Sequence, residues 1–150
     1  MRLTDHTDYA LRLLMYLAAN PERNVTIREV AAVHGISHHH LTKIAHRLGQ
    51  HGLLSNSRGR SGGMQLGLAP EQIMLGAVIR LTEPDFAMVE CFGKQHSDCI
   101  LAAHCQLKGA LHDATCAWFA RLDHIALSSL IVSPLRPACA SATIIIKPVP

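Results

Sequence analysis

Residues 26–52 read TIREVAAVHGISHHHLTKIAHRLGQHG and predict two short helices joined by a tight turn. Thr26 and Glu29 have the spacing of a capping box, in which each side chain satisfies the other residue's backbone N–H. Gly35 is suited to end the first helix, and Ser37 to cap the second. Apolar residues recur every three or four positions along one side of each helix, at 27, 30, 31, 41, 44, 45 and 48. The stretch therefore predicts a helix-turn-helix.

One helix precedes this unit and two strands follow it. The preceding helix is predicted over residues 8–19, with Thr7 as its N-cap. Its buried face is Ala10, Leu13, Leu14 and Leu17. The strands are predicted over 53–57 and 64–68, because the second alternates apolar and polar residues as a half-buried strand does.

A turn rich in glycine and arginine, residues 58–63, separates the two strands. Pro70 is expected to open a further helix that runs to residue 81. These elements predict a mainly α fold, with a winged helix-turn-helix domain over residues 1–82.

The second half of the chain is predicted to contain a loop and a long amphipathic helix. Residues 83–106 form the loop and hold three of the five cysteines. The apolar seam of the helix is Leu107, Leu111, Ala114, Trp118, Leu122 and Ile125. We expect residues 107–132 to be dimerisation helices and the proline-rich residues 133–150 to be a disordered tail. Cys116, off the seam, is predicted to be a small core residue, and Cys139 a free thiol.

Charge is unevenly distributed along the chain. Residues 1–66 contain eight Lys or Arg and four Asp or Glu, whereas residues 67–150 contain six and seven. A basic half beside a near-neutral half indicates an anionic partner for the first. The polar N-terminus does not resemble a signal peptide, and the apolar runs are too short to span a bilayer. We therefore expect a cytoplasmic protein without a membrane partner.

The outer face of the second helix of the helix-turn-helix is polar and basic. Such a face suits the major groove of DNA, and arginines in a glycine-rich turn suit an adjacent narrow minor groove. The alternative for both is an ordinary solvated surface. The residues expected to contact DNA are Arg28, Ser37, His38, His39, His40, Lys43, Arg58, Arg60 and Gly62.

The cysteines of the loop are spaced Cys91-x7-Cys99-x5-Cys105. The absence of a Cys-x-x-Cys pair disfavours a zinc ribbon, but three thiolates can hold three corners of an iron–sulfur cluster. A zinc site with His96 or His104 is the competing interpretation, and three unrelated thiols are the simplest one. No nucleophile with a paired base is found, so an enzyme is not predicted.

Four segments resemble the family of iron–sulfur winged-helix regulators that includes NsrR, IscR and RirA. They are Arg2-Leu3-Thr4-x-x-Thr7-Asp8-Tyr9-Ala10-Leu11-Arg12, His46-Arg47-Leu48-Gly49-Gln50-x-Gly52, Arg58-Gly59-Arg60-x-Gly62-Gly63 and Glu83-x-x-Phe86-Ala87-x-Val89-Glu90-Cys91-Phe92. The resemblance covers residues 1 to about 132 and is greatest to the nitric-oxide-sensing NsrR type. Lys108 stands where IscR-type chains have a histidine ligand, and Asp8 matches a carboxylate ligand that NsrR-type chains supply across the dimer.

The resemblance implies a homodimeric repressor that binds double-stranded operator DNA and is released when nitric oxide reacts with its cluster. The implied ligands are Cys91, Cys99, Cys105 and Asp8 of the partner subunit, around a [4Fe–4S] cluster, with [2Fe–2S] left open. From the residues alone, Asp8 is an acid that stabilises a helix dipole. Two alternatives stay open: an iron- or redox-responsive regulator of the RirA type, and a zinc- or cluster-carrying protein that does not bind DNA.

Overall fold

The computed structural model describes residues 2–57, 59, 62–92, 99 and 105–131. Within these residues the chain forms five α-helices and one antiparallel two-stranded sheet. In chain order they are α1 (Asp5–Ala18), α2 (Ile27–His34), α3 (His38–Gln50), β1 (Leu54–Ser57), β2 (Gly63–Leu66), α4 (Leu75–Thr82) and α5 (Gln106–Leu122). Short 3-10 helices lie at Glu90–Phe92 and Leu127–Leu130. The predicted mainly α, winged helix-turn-helix fold is confirmed, while the division into domains and the dimerisation role of α5 stay predictions.

The helix-turn-helix is formed by α2 and α3, as predicted. Thr26 Oγ1 accepts a hydrogen bond from the backbone N–H of Glu29 at 3.2 Å, which caps α2. Gly35 adopts a φ of 65°, a left-handed conformation that favours glycine, and ends α2. The buried residues of α3 are the predicted ones, Leu41, Ile44, Ala45 and Leu48.

Helix α1 lies in the centre of the core and packs against α3, α4 and β2. Leu13 and Leu14 are fully buried, and burial of each leucine stabilises the fold by about 1.5–3 kcal/mol. Ala10 and Leu17 are buried beside them, so the predicted buried face of α1 is confirmed.

The predicted start of α1 is wrong by nearly one turn. Thr4, not Thr7, is the N-cap: its side-chain oxygen accepts a hydrogen bond from the backbone N–H of Thr7 at 3.3 Å. The Thr7 side chain is instead turned into the core, where its hydroxyl donates to Thr82 Oγ1 at 2.9 Å. A partner 75 residues away therefore decides which threonine caps the helix.

The wing is a hairpin of β1 and β2 in which Leu54 pairs with Leu66 and Ser57 pairs with Gly63. Val25, just before α2, exchanges two backbone hydrogen bonds with Met64, at 2.8 and 3.0 Å. A Cβ at Gly63 would lie 2.8 Å from the Val25 carbonyl oxygen, so this close approach requires glycine. The second strand is shorter than predicted, and Leu68, expected on its buried side, is exposed.

The segment before α4 is paired with the segment after α5. The backbone N–H of Leu75 donates to Ile125 O, and the backbone N–H of Leu127 donates to Ile73 O, both at 2.8 Å. Because this pairing holds the chain extended, α4 begins at Leu75 and not at Pro70 as predicted. For the same reason Ile125, predicted on the helical seam, lies beyond the end of α5.

The far end of the chain also contributes to the core of the winged domain. Leu127 is only 2% exposed and belongs to the same apolar cluster as the buried leucines of α1. Across the described ranges, no helix is both long and apolar enough to cross a membrane.

Candidate nucleic-acid interface and metal centre

The outer face of α3 is polar and exposed. His38, His39, His40 and Lys43 all lie on it, and the rings of His39 and His40 are 6.4 Å apart. Ser37 is the N-cap but makes no side-chain capping hydrogen bond. The first-turn amides of a helix have no intrahelical acceptor, so the start of α3 can bind an anion such as phosphate.

Three cations of the helix-turn-helix carry no counter-charge. Arg28 on α2, and Lys43 and Arg47 on α3, are exposed and form no ion pair within the part of the chain that the structure describes. Their charges are therefore available to an anionic partner, and the DNA contacts of Arg28 and Lys43 stay predictions.

The tip of the wing is only partly described. Gly59 has a φ of 113°, and the backbone N–H of Gly62 donates to Gly59 O at 3.0 Å. Arg58 and Arg60 lie outside the described residues, so their contacts with DNA stay predictions. Gly62 is half-buried.

His6 lies beneath α3 and was not identified from the sequence. Its Nε2 atom is buried and makes no hydrogen bond with any described residue. Burial, and then the positive charge of Arg47, lower the pKa of His6; His40 adds to this effect and Glu83 opposes it. The residues around His6 come from α3 and from the end of α4, so its local sequence does not indicate that its side chain is partly buried.

A cavity of about 1650 Å³ lies between residues 84–92 and α5, and two of the predicted ligands line it. Cys91 is in the 3-10 helix Glu90–Phe92, and Cys105 is the N-cap of α5. Both are half-buried, and Cys99 is exposed. A thiolate at a helix N-terminus is stabilised by the helix dipole. This donor set suits a thiolate-ligated iron–sulfur cluster.

The structure does not bring a complete set of ligands together. Within the described residues, no group of three or more His, Cys, Asp or Glu side chains is close enough to hold a metal ion. His96 and His104, the alternative ligands, lie outside the described residues. The joint placement of the three loop cysteines therefore stays a prediction.

The side of α5 that faces the cavity presents Lys108, His112 and Cys116. Cys116 is exposed, so its prediction as a core residue is wrong. Helix α5 buries only Phe119, and Cys116 lies nearly a turn before it on the side that lines the open cavity. The Cys116 sulfur lies 3.8 Å from both ring nitrogens of His112.

Asp8 lies in the first turn of α1 and pairs with Arg12 of the same helix. The guanidinium Nε donates a hydrogen bond to Asp8 Oδ1 at 3.1 Å, a second guanidinium nitrogen lies 2.7 Å from Oδ2, and both side chains are nearly half exposed. Asp8 is not among the described residues that line the cavity of its own chain. Its role as a ligand to the partner's cluster stays a prediction.

Helix α5 is joined to α4 by a charged and aromatic contact that was not predicted. Arg80 donates two hydrogen bonds to Asp123, at 2.5 and 2.8 Å, and lies over the ring of Phe119 at 4.1 Å. Phe119 packs edge-to-face against Phe86, with ring centroids 4.6 Å apart. A Cβ at Gly76 would overlap the Asp123 carboxylate, so glycine makes room for this ion pair. The contact places residues 84–92 against α5.

The sequence as a whole matches the model of one protein family. Residues 3–133 match Rrf2, described as an iron-dependent transcriptional regulator. The chain belongs to the Rrf2 family of transcriptional regulators.

Curated relatives agree on the type of Rrf2 protein. The chain is 43% identical over 134 residues to the HTH-type transcriptional regulator NsrR of Halalkalibacterium halodurans, covering 89% of this chain and 92% of the relative. It is 44% identical over 132 residues to the regulator of the same name of Bacillus subtilis, covering 87% and 90%. These relatives confirm the predicted NsrR-type resemblance, and they are named as regulators and not as enzymes.

Solved structures show the same Rrf2 architecture. The global cysteine regulator CymR of B. subtilis superposes with a TM-score of 0.68 at 26% identity, covering 87% of this chain and 96% of that one. IscR of T. potens superposes with a TM-score of 0.70 at 23% identity, covering 87% and 86%, and supports the fold alone. This Rrf2 protein is therefore a DNA-binding transcriptional regulator of the NsrR type.

Proposed function

We propose that this Rrf2 protein is a cytoplasmic, homodimeric repressor that binds double-stranded operator DNA and responds to nitric oxide through an iron–sulfur cluster. The observation that carries the proposal is the placement of Cys91 and Cys105 on one cavity, next to a winged head with a basic outer face. The similarity to regulators named NsrR favours nitric oxide as the signal over iron or general redox state.

The recognition of DNA is assigned to α3 and the wing. His38, His39, His40 and Lys43 face the major groove, and Ser37 with the first-turn amides binds a phosphate. Arg28, on α2, binds the phosphate backbone of the DNA. In the wing, Arg60 enters the adjacent minor groove and Arg58 binds a phosphate. Gly62 has no side chain, so the protein backbone can approach the DNA phosphates closely.

Dimerisation is assigned to the seam of α5. Leu107 is 62% exposed, and Trp118 and Leu122 are only partly buried. A second copy of α5 would cover this apolar face together with Leu111 and Ala114, and Ile125, which lies beyond the end of α5, is assigned to the same interface. Two heads related by a two-fold axis would bind an inverted-repeat operator.

Cys91, Cys99 and Cys105 are proposed to hold the cluster, with Asp8 of the partner subunit as the fourth ligand. When bound, the cluster supplies iron sites that react with nitric oxide; a [4Fe–4S] form is proposed, with [2Fe–2S] as the alternative. Carboxylate oxygen is a harder and poorer ligand for such iron than thiolate, so the Asp8 corner is the weakest. A carboxylate has two oxygens, so Asp8 can offer one to a metal while Arg12 keeps a hydrogen bond to the other.

The proposal is tested on protein prepared without oxygen. We expect a brown preparation with iron and sulfide, and a measurable affinity for the DNA upstream of its own gene that falls as nitric oxide is added. Absorbance and fluorescence anisotropy are followed in the same titration. A colourless preparation with stoichiometric zinc, or a brown one that does not bind DNA, would contradict the proposal.

Variants assign the ligands. Cys91→Ala, Cys99→Ala and Cys105→Ala should each lose both the cluster and specific DNA binding, while Cys116→Ser, on the same cavity, should keep both. Asp8→Ala should keep a cluster with altered circular dichroism, and Asp8→Cys should react with nitric oxide more slowly. If Asp8→Ala matches the wild type in spectrum, kinetics and affinity, Asp8 only stabilises the start of α1.

A further inference from the structure

The capping of α1 at Thr4 is completed by Glu83, the residue that follows α4. In a capping box the N-cap side chain accepts from the N3 backbone N–H, and the N3 side chain accepts from the N-cap backbone N–H. Here the first half is Thr4 accepting from Thr7. The second half is supplied by Glu83, whose Oε1 accepts from the Thr4 backbone N–H at 2.8 Å and lies 3.2 Å from Thr4 Oγ1.

A second contact between the same two segments is made by Thr7 and Thr82, which lie close to Thr4 and Glu83 in the sequence. Thr7 Oγ1 donates to Thr82 Oγ1 at 2.9 Å, and Thr82 Oγ1 donates to Val78 O at 2.9 Å. Both threonines are buried, so water does not compete for these bonds. Two consecutive residues, Thr82 and Glu83, therefore hold the first turn of α1 by directional bonds.

The contacts of Thr4 with Glu83 and of Thr7 with Thr82 connect the segments that carry the two candidate sites, the cysteine-lined cavity and the DNA-binding face. Glu83 ends α4 and begins the segment that reaches Cys91, whereas Thr4 begins the helix that carries Asp8. Helix α1 also packs against α3 through the shared apolar core. His6, two residues beyond Thr4, lies near enough to Glu83, Arg47 and His40 for their charges to act on it.

We propose that Glu83 is a positioning residue, which ties the cysteine-bearing segment to the first turn of α1 and so sets the placement of α3 according to the state of the cluster. The inference rests on the proposed function, because it names the connection between its two sites.

A cap that served stability alone would behave differently. Its removal would weaken the fold with and without cluster to the same extent, and the ratio of operator affinities of the two forms would stay the same. A positioning residue must change that ratio. Coupling between two sites in a regulated protein is typically about 5- to 150-fold, so its loss is measurable.

The test compares Glu83→Ala and Glu83→Gln with Glu71→Ala in the full-length chain. Glu71 is exposed, whereas Glu83 is half-buried, and the Glu71 side chain makes no hydrogen bond or ion pair with other described residues, so it controls for loss of one negative charge. We measure cluster content by absorbance, operator affinity with and without cluster, and hydrogen exchange of the amides of α1 in the cluster-free protein.

We expect Glu83→Ala to load the cluster but to lower the affinity ratio of the two forms by about 5-fold or more. Glu83→Gln should be intermediate, because an amide oxygen still accepts from Thr4, and Glu71→Ala should match the wild type. Exchange at the first turn of α1 should be faster in Glu83→Ala alone. If Glu83→Ala does not fold, Glu83→Gln still tests the ratio.

The outcomes separate the two proposals. A wild type without cluster, or with equal affinity in both forms, overturns the proposed function and with it the coupling. A wild type that responds, together with a Glu83→Ala variant that keeps the full ratio, overturns only the role of Glu83. Unchanged exchange at α1 in the cluster-free Glu83→Ala variant would also overturn it, whatever the protein regulates.

Discussion

Removal of either hydroxyl of the buried Thr7–Thr82 pair should have unequal costs. In Thr7→Val, the Thr82 hydroxyl still donates to Val78 O at 2.9 Å, so no buried donor is left unpaired. The Thr4 hydroxyl, 3.3 Å from Thr7 Oγ1, keeps Glu83 Oε1 as an acceptor, so the main loss is one ordinary hydrogen bond, about 0.5–1.5 kcal/mol of the free energy of unfolding. Valine matches threonine in shape and nearly in helix propensity, so few other terms change.

In Thr82→Val, the fully buried Thr7 hydroxyl loses its acceptor. An unpaired buried donor costs about 1–3 kcal/mol. Thr4 Oγ1, 3.3 Å from Thr7 Oγ1, is a longer and weaker alternative, so we expect a value in the lower half of that range. The double variant removes both polar groups, and we expect it to be less destabilised than Thr82→Val alone.

The measurement is urea unfolding of the reduced, cluster-free chain, followed by circular dichroism. Thr115→Val is the control, since Thr115 Oγ1 donates only to Leu111 O within α5, at 2.8 Å. The reasoning is refuted if Thr82→Val costs no more than Thr7→Val, or if the double variant shows the sum of the two single costs.

Three further predictions concern charge, dimerisation and the wing. Hydrogen bonds from the Arg23 guanidinium hold the pKa of Glu29 at about 2, below its ordinary value of 4.5, so the stability they provide is present above pH 4.5 and lost as the pH falls towards 2. Glu29→Gln should flatten acid unfolding in that window, and an unchanged acid curve would count against the pair. Leu107→Glu places a charge on the exposed seam of α5 and should give monomers in analytical ultracentrifugation; a persistent dimer would rule out this seam. Arg60→Ala should weaken operator binding by about 1–3 kcal/mol, and Arg58→Ala should lower the salt dependence of binding to all DNA; wild-type titrations for both would remove the wing from the interface.

The elements that were predicted correctly are those whose signals are local. The capping pair Thr26 and Glu29, the left-handed Gly35 and the apolar spacing of α3 all act within one or two helical turns. The buried face of α1 was equally clear, because four apolar residues on one side of a helix leave little choice about which side faces the core.

The errors occur where a distant segment decides between two local possibilities. Thr4 and Thr7 are both suitable N-caps, and only Thr82 and Glu83 determine which one is used. The start of α4 depends in the same way on pairing with residues 125–127. The spacing of the cysteines singled out Cys91 and Cys105, which line the same cavity, but it could not reveal the ion pair of Arg80 and Asp123 at the edge of that cavity.

Because Leu127 fills the core of the head from beyond α5, the DNA-binding part of this chain is not a portable module. A fragment that stops at residue 82 would lack Leu127 and the backbone hydrogen bonds that residues 125 and 127 make with Leu75 and Ile73. It would uncover one side of α1 to water. A chimaera that joins the winged domain to a foreign dimerisation helix must therefore keep residues 125–127. A recombined chain would likewise need both this segment and residues 73–75, with which it pairs.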